Sequence, residues 1–326
     1  MPKIPEKYRN FLQLLVKLSV VIGAFYFIYK RVVLNDKLEY SELIFQIKSK
    51  IFQNYYIGFI LLGFTFLNWF LDILKWKTLV SVVQNISLKQ AAIQSLAAHT
   101  GALLTPNRIG EYGIKALYFN KKYQKKIMLL NLIHHMLQMM VTIIFGVIGL
   151  VYILNNFAVD LPVISFRKIR YLLSFLVVFI LTGRIIIRKK IRSFYWNKIL
   201  RFLKNMSKKT LVLAFLLSVL KYLVFVHQFI YLLFVFDVQF TYSEIIILLF
   251  GFYFIASILP SLPIFDWLVK GSIAIMILDL IGINEITIIT VTTIMWLLNF
   301  AFPAIIGSFF VLNFKKTTVS LPKKNQ

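Results

Sequence analysis

The stretch HTGALLTPNRIGEYGIKALYF, His99 to Phe119, sets an arginine, a glutamate and a lysine beside a proline in a chain that is otherwise strongly apolar. Gly101 and Pro106 stop its apolar run well short of the roughly 20 residues that a helix needs to cross hydrocarbon. Lysines stand on both flanks, Lys75, Lys77 and Lys89 before it and Lys115 and Lys121 after it. A segment that begins and ends on one basic side enters and leaves a membrane by the same face, so a re-entrant hairpin is expected over residues 91–115. Broken backbone is tolerated at membrane depth only where protein or a water-filled cavity satisfies its polar groups.

Of the 326 residues, 60% are hydrophobic and 15% charged, and the mean hydropathy is +0.80. That is too oily for a soluble core of this length. The expected fold class is all-α, a polytopic membrane helical bundle in which residues 1–326 form a single integral membrane domain. Lys and Arg number 37 against 12 Asp and Glu, a net charge of +25. In a soluble domain that excess would indicate nucleic acid. Here the basic runs are loop-sized and flank apolar spans, which argues against a nucleic-acid partner and for cytoplasmic loops facing anionic head groups, worth about 1 kcal/mol per cation near the surface. The absence of cysteine excludes disulfides and thiolate chemistry.

Parsed by length, the apolar runs predict spans near 11–29, 55–74, 127–154, 171–187, 211–236, 244–259, 268–283 and 286–310. The first follows a basic head without a small-residue cleavage site and reads as a retained helix. Arg184 to Lys209 carries many bases and no acid, which makes it cytoplasmic. Counting from there puts both termini and Lys115 to Lys126 on the same side, the orientation expected of a multi-pass protein of the cell (inner, cytoplasmic) membrane. Asp36, Glu39, Glu42, Asp160, Asp237, Glu244 and Glu285 then fall outside, while Arg167, Lys168 and Arg170 dissent from the pattern. Hydrophilic stretches are too short for a soluble catalytic domain. Neither a G-x-x-x-x-G-K-S/T phosphate loop nor a Rossmann glycine fingerprint is present, so no nucleotide or other cofactor is expected.

Within the hairpin, Pro106 suits the first position of a helix capped by Thr105. The N–H groups behind it, with Asn107 and the Arg108 guanidinium, would make an anion site at a helix start. Arg108, Glu111 and Lys115 at i, i+3 and i+7 share a face, so that Glu111 holds Arg108 and the cations keep net charge for a phosphate. Gly110 and Gly113 open a neighbouring face to a helix or an acyl chain. The plainer reading is an interfacial ion pair that anchors the hairpin. Charges beside broken helices cost roughly 2.5 to 3.5 kcal/mol on insertion and more often mark a pathway.

A second break lies in IASILPSLPIFDWLVKGSIAI, over residues 256–272, where Pro260 and Pro263 precede Asp266 and Lys270 at i, i+4. Two interrupted segments in comparable positions are the sequence pointer to a midplane site in transporters. A helix ion pair at the inner interface is the alternative for Asp266 and Lys270. His134, His135 and Gln138 are expected to make interfacial hydrogen bonds, and Asp72 with Lys75 an interface pair. Gln228 is expected to bond between helices. His99 and the other histidines lack metal-ligand spacing.

The run LLTPNRIGEYGIKAL resembles the T-P-x-R-x-G-E signature of the lysylphosphatidylglycerol synthase transmembrane-region family, also called flippase-like membrane proteins. Thr105, Pro106, Arg108, Gly110 and Glu111 carry the likeness, and the length and span layout agree with it. The later segment departs from the family's P-G-G-x-G-x-x-E pattern, with Lys270 standing about where the family has glutamate. No counterpart of the family's soluble aminoacyltransferase domain is found, so the resemblance implies lipid handling without lysyl transfer.

Residues and resemblance together lead to the expectation of a non-enzymatic lipid translocase. Its partner would be an anionic membrane lipid or lipid-phosphate carrier, held by Thr105, Pro106, Asn107, Arg108, Gly110, Glu111, Lys115, Asp266 and Lys270. A lipid-binding partner of an envelope-synthesis complex and a membrane-embedded transferase are the alternatives, and a second copy of the chain is the other protein partner left open.

Overall fold

The computed structural model describes residues 45, 48–103, 105, 108–157, 200–258 and 263–314, with backbone alone for 52 and 263–269. Among these residues all regular structure is helical and no strand occurs. We number the principal helices α1 (Tyr55–Val80), α2 (Leu88–Leu103), α3 (Ile109–Leu117), α4 (Lys121–Asn156), α5 (Lys208–Val235), α6 (Tyr242–Ile258), α7 (Pro263–Leu278) and α8 (Glu285–Leu312). α1, α4, α5 and α8 are long and apolar enough to cross a membrane. α6 is apolar but has 17 residues. The spans expected over 11–29 and 171–187 lie outside the described residues, as does the loop holding Arg167, Lys168 and Arg170.

The helices follow from unbroken apolar sequence closed by specific stops. Asn54 caps α1 by accepting the Tyr56 N–H at 3.2 Å, and Asn284 caps α8 by accepting the Ile286 N–H at 2.9 Å. α7 begins at Pro263 rather than near Leu268, because a proline's fixed φ and missing N–H suit a first turn. It ends in a short 3₁₀ turn at Asp279–Ile281, closed by Gly282 in the left-handed region. Within α8, Leu297–Ala301 forms a π turn. Large apolar side chains, Phe59 and Phe66 on α1, Ile148 and Val151 on α4, Leu216 and Leu220 on α5 and Phe309 on α8, remain exposed on the outer faces. Such surface would be an aggregation patch in water and is the expected face toward acyl chains.

Inside the bundle the helices meet through small residues and buried amides, the usual means where lipid supplies no hydrophobic drive between helices. Gly149 of α4 lies directly on the Gly251 backbone of α6, and Gly307 of α8 on the Leu96 carbonyl of α2. Beside the second contact, the Thr100 hydroxyl donates to the Ala304 carbonyl at 2.8 Å. A ladder then crosses three helices: Asn68 donates to Asn299, Asn299 to Gln228 and Gln228 to the Thr65 hydroxyl, each at 2.9 Å. The π turn brings Asn299 into this ladder, a placement in keeping with the frequent use of π bulges at functional sites.

Candidate functional site

α2 stops at Leu103 and α3 restarts at Ile109, folded back so that Gly110 packs on the Gly101 backbone and Ile114 covers Gly101. A Cβ on Gly110 would collide with the Gly101 carbonyl, so the crossing requires glycine there. Gly113 has open space beside it. The segment is therefore two helices packed on each other across a break, and the second starts later than Pro106. Thr105 is not its cap. Arg108 holds the cap position in the left-handed region, φ 58° and ψ 27°. Thr105 nevertheless organises the turn, its hydroxyl accepting the Gly110 N–H at 2.7 Å and its carbonyl the Arg108 N–H at 3.2 Å. The Arg108 and Gly110 N–H groups, expected to face an anion, are thus engaged within the turn.

A left-handed conformation costs a non-glycine residue roughly 1 to 2 kcal/mol and persists where the surroundings enforce it. Here the guanidinium is gripped. Arg108 Nε donates to Glu111 Oε2 at 3.1 Å, and a terminal nitrogen lies 3.0 Å from the same oxygen and 3.3 Å from Nδ1 of His99. His99 is itself set edge-on to Trp69 and to Phe300. The other Glu111 oxygen accepts Lys115 Nζ at 2.8 Å, which also donates to Asn131 Oδ1 at 2.8 Å and lies 4.3 Å over the Trp76 ring. Lys115 is only 1% exposed, so it anchors α3 to α4 and α1 instead of facing a ligand. Arg108 remains 39% exposed.

Opposite this cluster stands a second one. Asp72 of α1 pairs with Lys221 of α5 and with His134 of α4, whose Nε2 is 3.2 Å away. The Asp72–Lys75 pair expected from spacing is replaced: Lys75 turns aside and donates to Gln138 Oε1 at 3.1 Å. His135, next along α4, places Nε2 3.2 Å from Glu111 Oε1. The adjacent histidines thus address two carboxylates on two different helices.

Both clusters border one cavity of about 720 Å³, to which every helix from α1 to α8 contributes. Its polar lining includes Asp72, His99, Arg108, His135, Lys221 and Lys270, and aromatic rings of α5, α6 and α8 form much of the rest. Of the residues expected to bind, Arg108 and Lys270 line this cavity, so the two broken segments converge on it. Thr105, Gly110, Glu111 and Lys115 build the support behind Arg108. Pro106, Asn107 and the side chain of Asp266 lie outside the described residues. Among the described residues no group of His, Asp and Glu could hold a metal ion.

Lys221, Asn68 and Asn299 complete the site and escaped the sequence reading. A signal existed for Lys221, a lone cation in mid-helix within an apolar span, where an ionisable residue is a functional candidate by default. Comparison with protein-family models, with curated proteins and with solved structures finds no match to this chain.

Proposed function

We propose that this chain is a multi-pass protein of the cell membrane, with about eight spans and cytoplasmic termini, that moves an anionic phospholipid or lipid-phosphate carrier between leaflets. The lipid phosphate meets Arg108 in the cavity, and the chain acts as a translocase, not an enzyme. One observation carries this reading: an arginine held at the tip of a broken hairpin, anchored from behind by Glu111 and still open to an aromatic-lined cavity. At 1.5 Å per residue, Asp72, His135 and Lys221 lie about 12, 21 and 20 Å from the basic ends of α1, α4 and α5. That depth belongs inside a hydrocarbon core roughly 30 Å thick, where a cation open to a cavity is expensive unless a pathway uses it. The likeness of Thr105 to Glu111 to the flippase-like signature supports the same reading.

Reconstitution tests it. In phosphatidylcholine vesicles containing fluorescent phosphatidylglycerol, the wild-type protein exposes inner-leaflet label to an external quencher, and Arg108→Ala abolishes that exposure. Quenching equal to that of protein-free vesicles overturns translocation. Retained lipid binding would then leave the non-transporting partner, and a covalently altered lipid the transferase.

A further inference from the structure

The adjacent histidines of α4 are not needed to hold a lipid phosphate, yet their placement is specific. Successive side chains on a helix point about 100° apart, which lets His134 face Asp72 and His135 face Glu111 while their rings stay 5.3 Å from each other. His134 is buried, whereas the side chain of His135 is 29% exposed and lines the cavity. Around His135 stand Arg108 at the cap of α3, Glu111, Tyr112 and Lys115 within α3 and His134 on its own helix, with Asp72 and Lys75 of α1 and Lys221 of α5 forming the neighbouring cluster. Lys270 of α7 and Tyr253 of α6 border the same space. In this assembly the cations Arg108, Lys115 and Lys221 outnumber the carboxylates Asp72 and Glu111. A further positive charge is unwelcome there until an anion arrives.

We propose that the anion site is linked to a proton site at His135, so that a lipid phosphate entering beside Arg108 draws one proton from cavity water onto the imidazole. This rests on the reading of Arg108 as the phosphate site and adds an ion to it: head group and proton occupy the cavity together. Imidazole is the side chain whose charge changes near neutral pH, and an added negative charge within a few ångströms favours its protonated form. Once protonated, both ring nitrogens carry hydrogen, and Nε2 donates to the Glu111 oxygen beside it. Linkage is reciprocal, so lower pH must tighten binding of the anion by the same factor. In a bilayer the paired cargo would run with a proton gradient and carry less net charge across the membrane than the lipid alone.

Calorimetry reads the coupling without requiring transport. The detergent-solubilised full chain is titrated with dihexanoylphosphatidylglycerol, whose phosphodiester does not itself titrate near neutrality, in buffers of low and high ionisation enthalpy. For the wild type we expect about one proton taken up per lipid bound, and affinity rising by up to about tenfold for each unit that the pH falls. His135→Gln removes the uptake and flattens the pH dependence. Binding by the wild type with no proton uptake, or uptake unchanged in His135→Gln, overturns this proposal and leaves the Arg108 site standing. Absence of binding by the wild type, or binding unaffected by Arg108→Ala, overturns the site and the coupling with it.

Discussion

Two buried carboxylates, Asp72 at the wall of the cavity and Glu111 behind Arg108, are satisfied in opposite ways. Glu111 draws on its own short helix and its cap: Arg108 is three residues before it, Lys115 four residues after it, and among the described residues only His135 comes from elsewhere. Asp72 draws on other helices entirely, His134 from α4 and Lys221 from α5. The first arrangement stiffens a hairpin from within and fixes the shape of the turn that presents Arg108. The second ties three long helices together and depends on their packing. Chemically similar pairs therefore do different jobs, one holding a local strained conformation and the other a bundle.

The largest effect that would separate them comes from neutralising each acid. Glu111→Gln leaves the fully enclosed Lys115 without its counter-charge, and breaking a buried pair by removing one partner costs about 3 to 5 kcal/mol. Asp72→Asn strands Lys221, which is 25% exposed and can be solvated from the cavity, so its loss should be clearly smaller. Thermal unfolding of the two variants in the same detergent checks the order, and equal losses would dissolve the distinction. Replacing both charges, as Glu111→Gln with Lys115→Met, should recover part of the stability. Next in size is Gly110→Ala, which pushes a methyl group into the Gly101 carbonyl and should cost about 1 to 3 kcal/mol while leaving the Asp72 cluster intact. Protease sensitivity confined to the hairpin would show that localisation. The smallest expected change is Asn299→Leu, which breaks the amide ladder; interhelical hydrogen bonds of this kind average about 0.6 kcal/mol and reach about 1.7.

The same contrast explains what sequence spacing revealed. Arg108, Glu111 and Lys115 stand at helical intervals, so their shared face can be read directly from the string. The break between α2 and α3 and the proline start of α7 are likewise local events, announced by Pro106 and Pro263, while Gly101, expected to stop the run, stays inside α2. Lys221 lies 149 residues from the aspartate it meets, and no periodicity links positions that only tertiary packing brings together. Asp72 and Lys75 show the opposite error. Their i, i+3 spacing suggested a pair, but Gln138 and Lys221 from other helices offered each a better partner. The start of α3 was misplaced because Thr105 acts five residues ahead of the amide it caps, across a turn whose left-handed arginine has no sequence signature.

The π turn at Leu297–Ala301 carries a geometric consequence for α8 as a whole. A π turn accommodates one residue more than an α turn, and each residue in an α-helix advances the face by about 100°. Upstream of it, Thr292, Met295 and Trp296 look into the cavity, and downstream Gly307 docks on the backbone of α2. The extra residue sets the phase between these halves. Deleting a single amino acid in Leu297–Ala301 would restore regular winding with Gly307 still seated on α2, whereas winding the same residues as plain α-helix would turn Gly307 by about 100° away from that backbone.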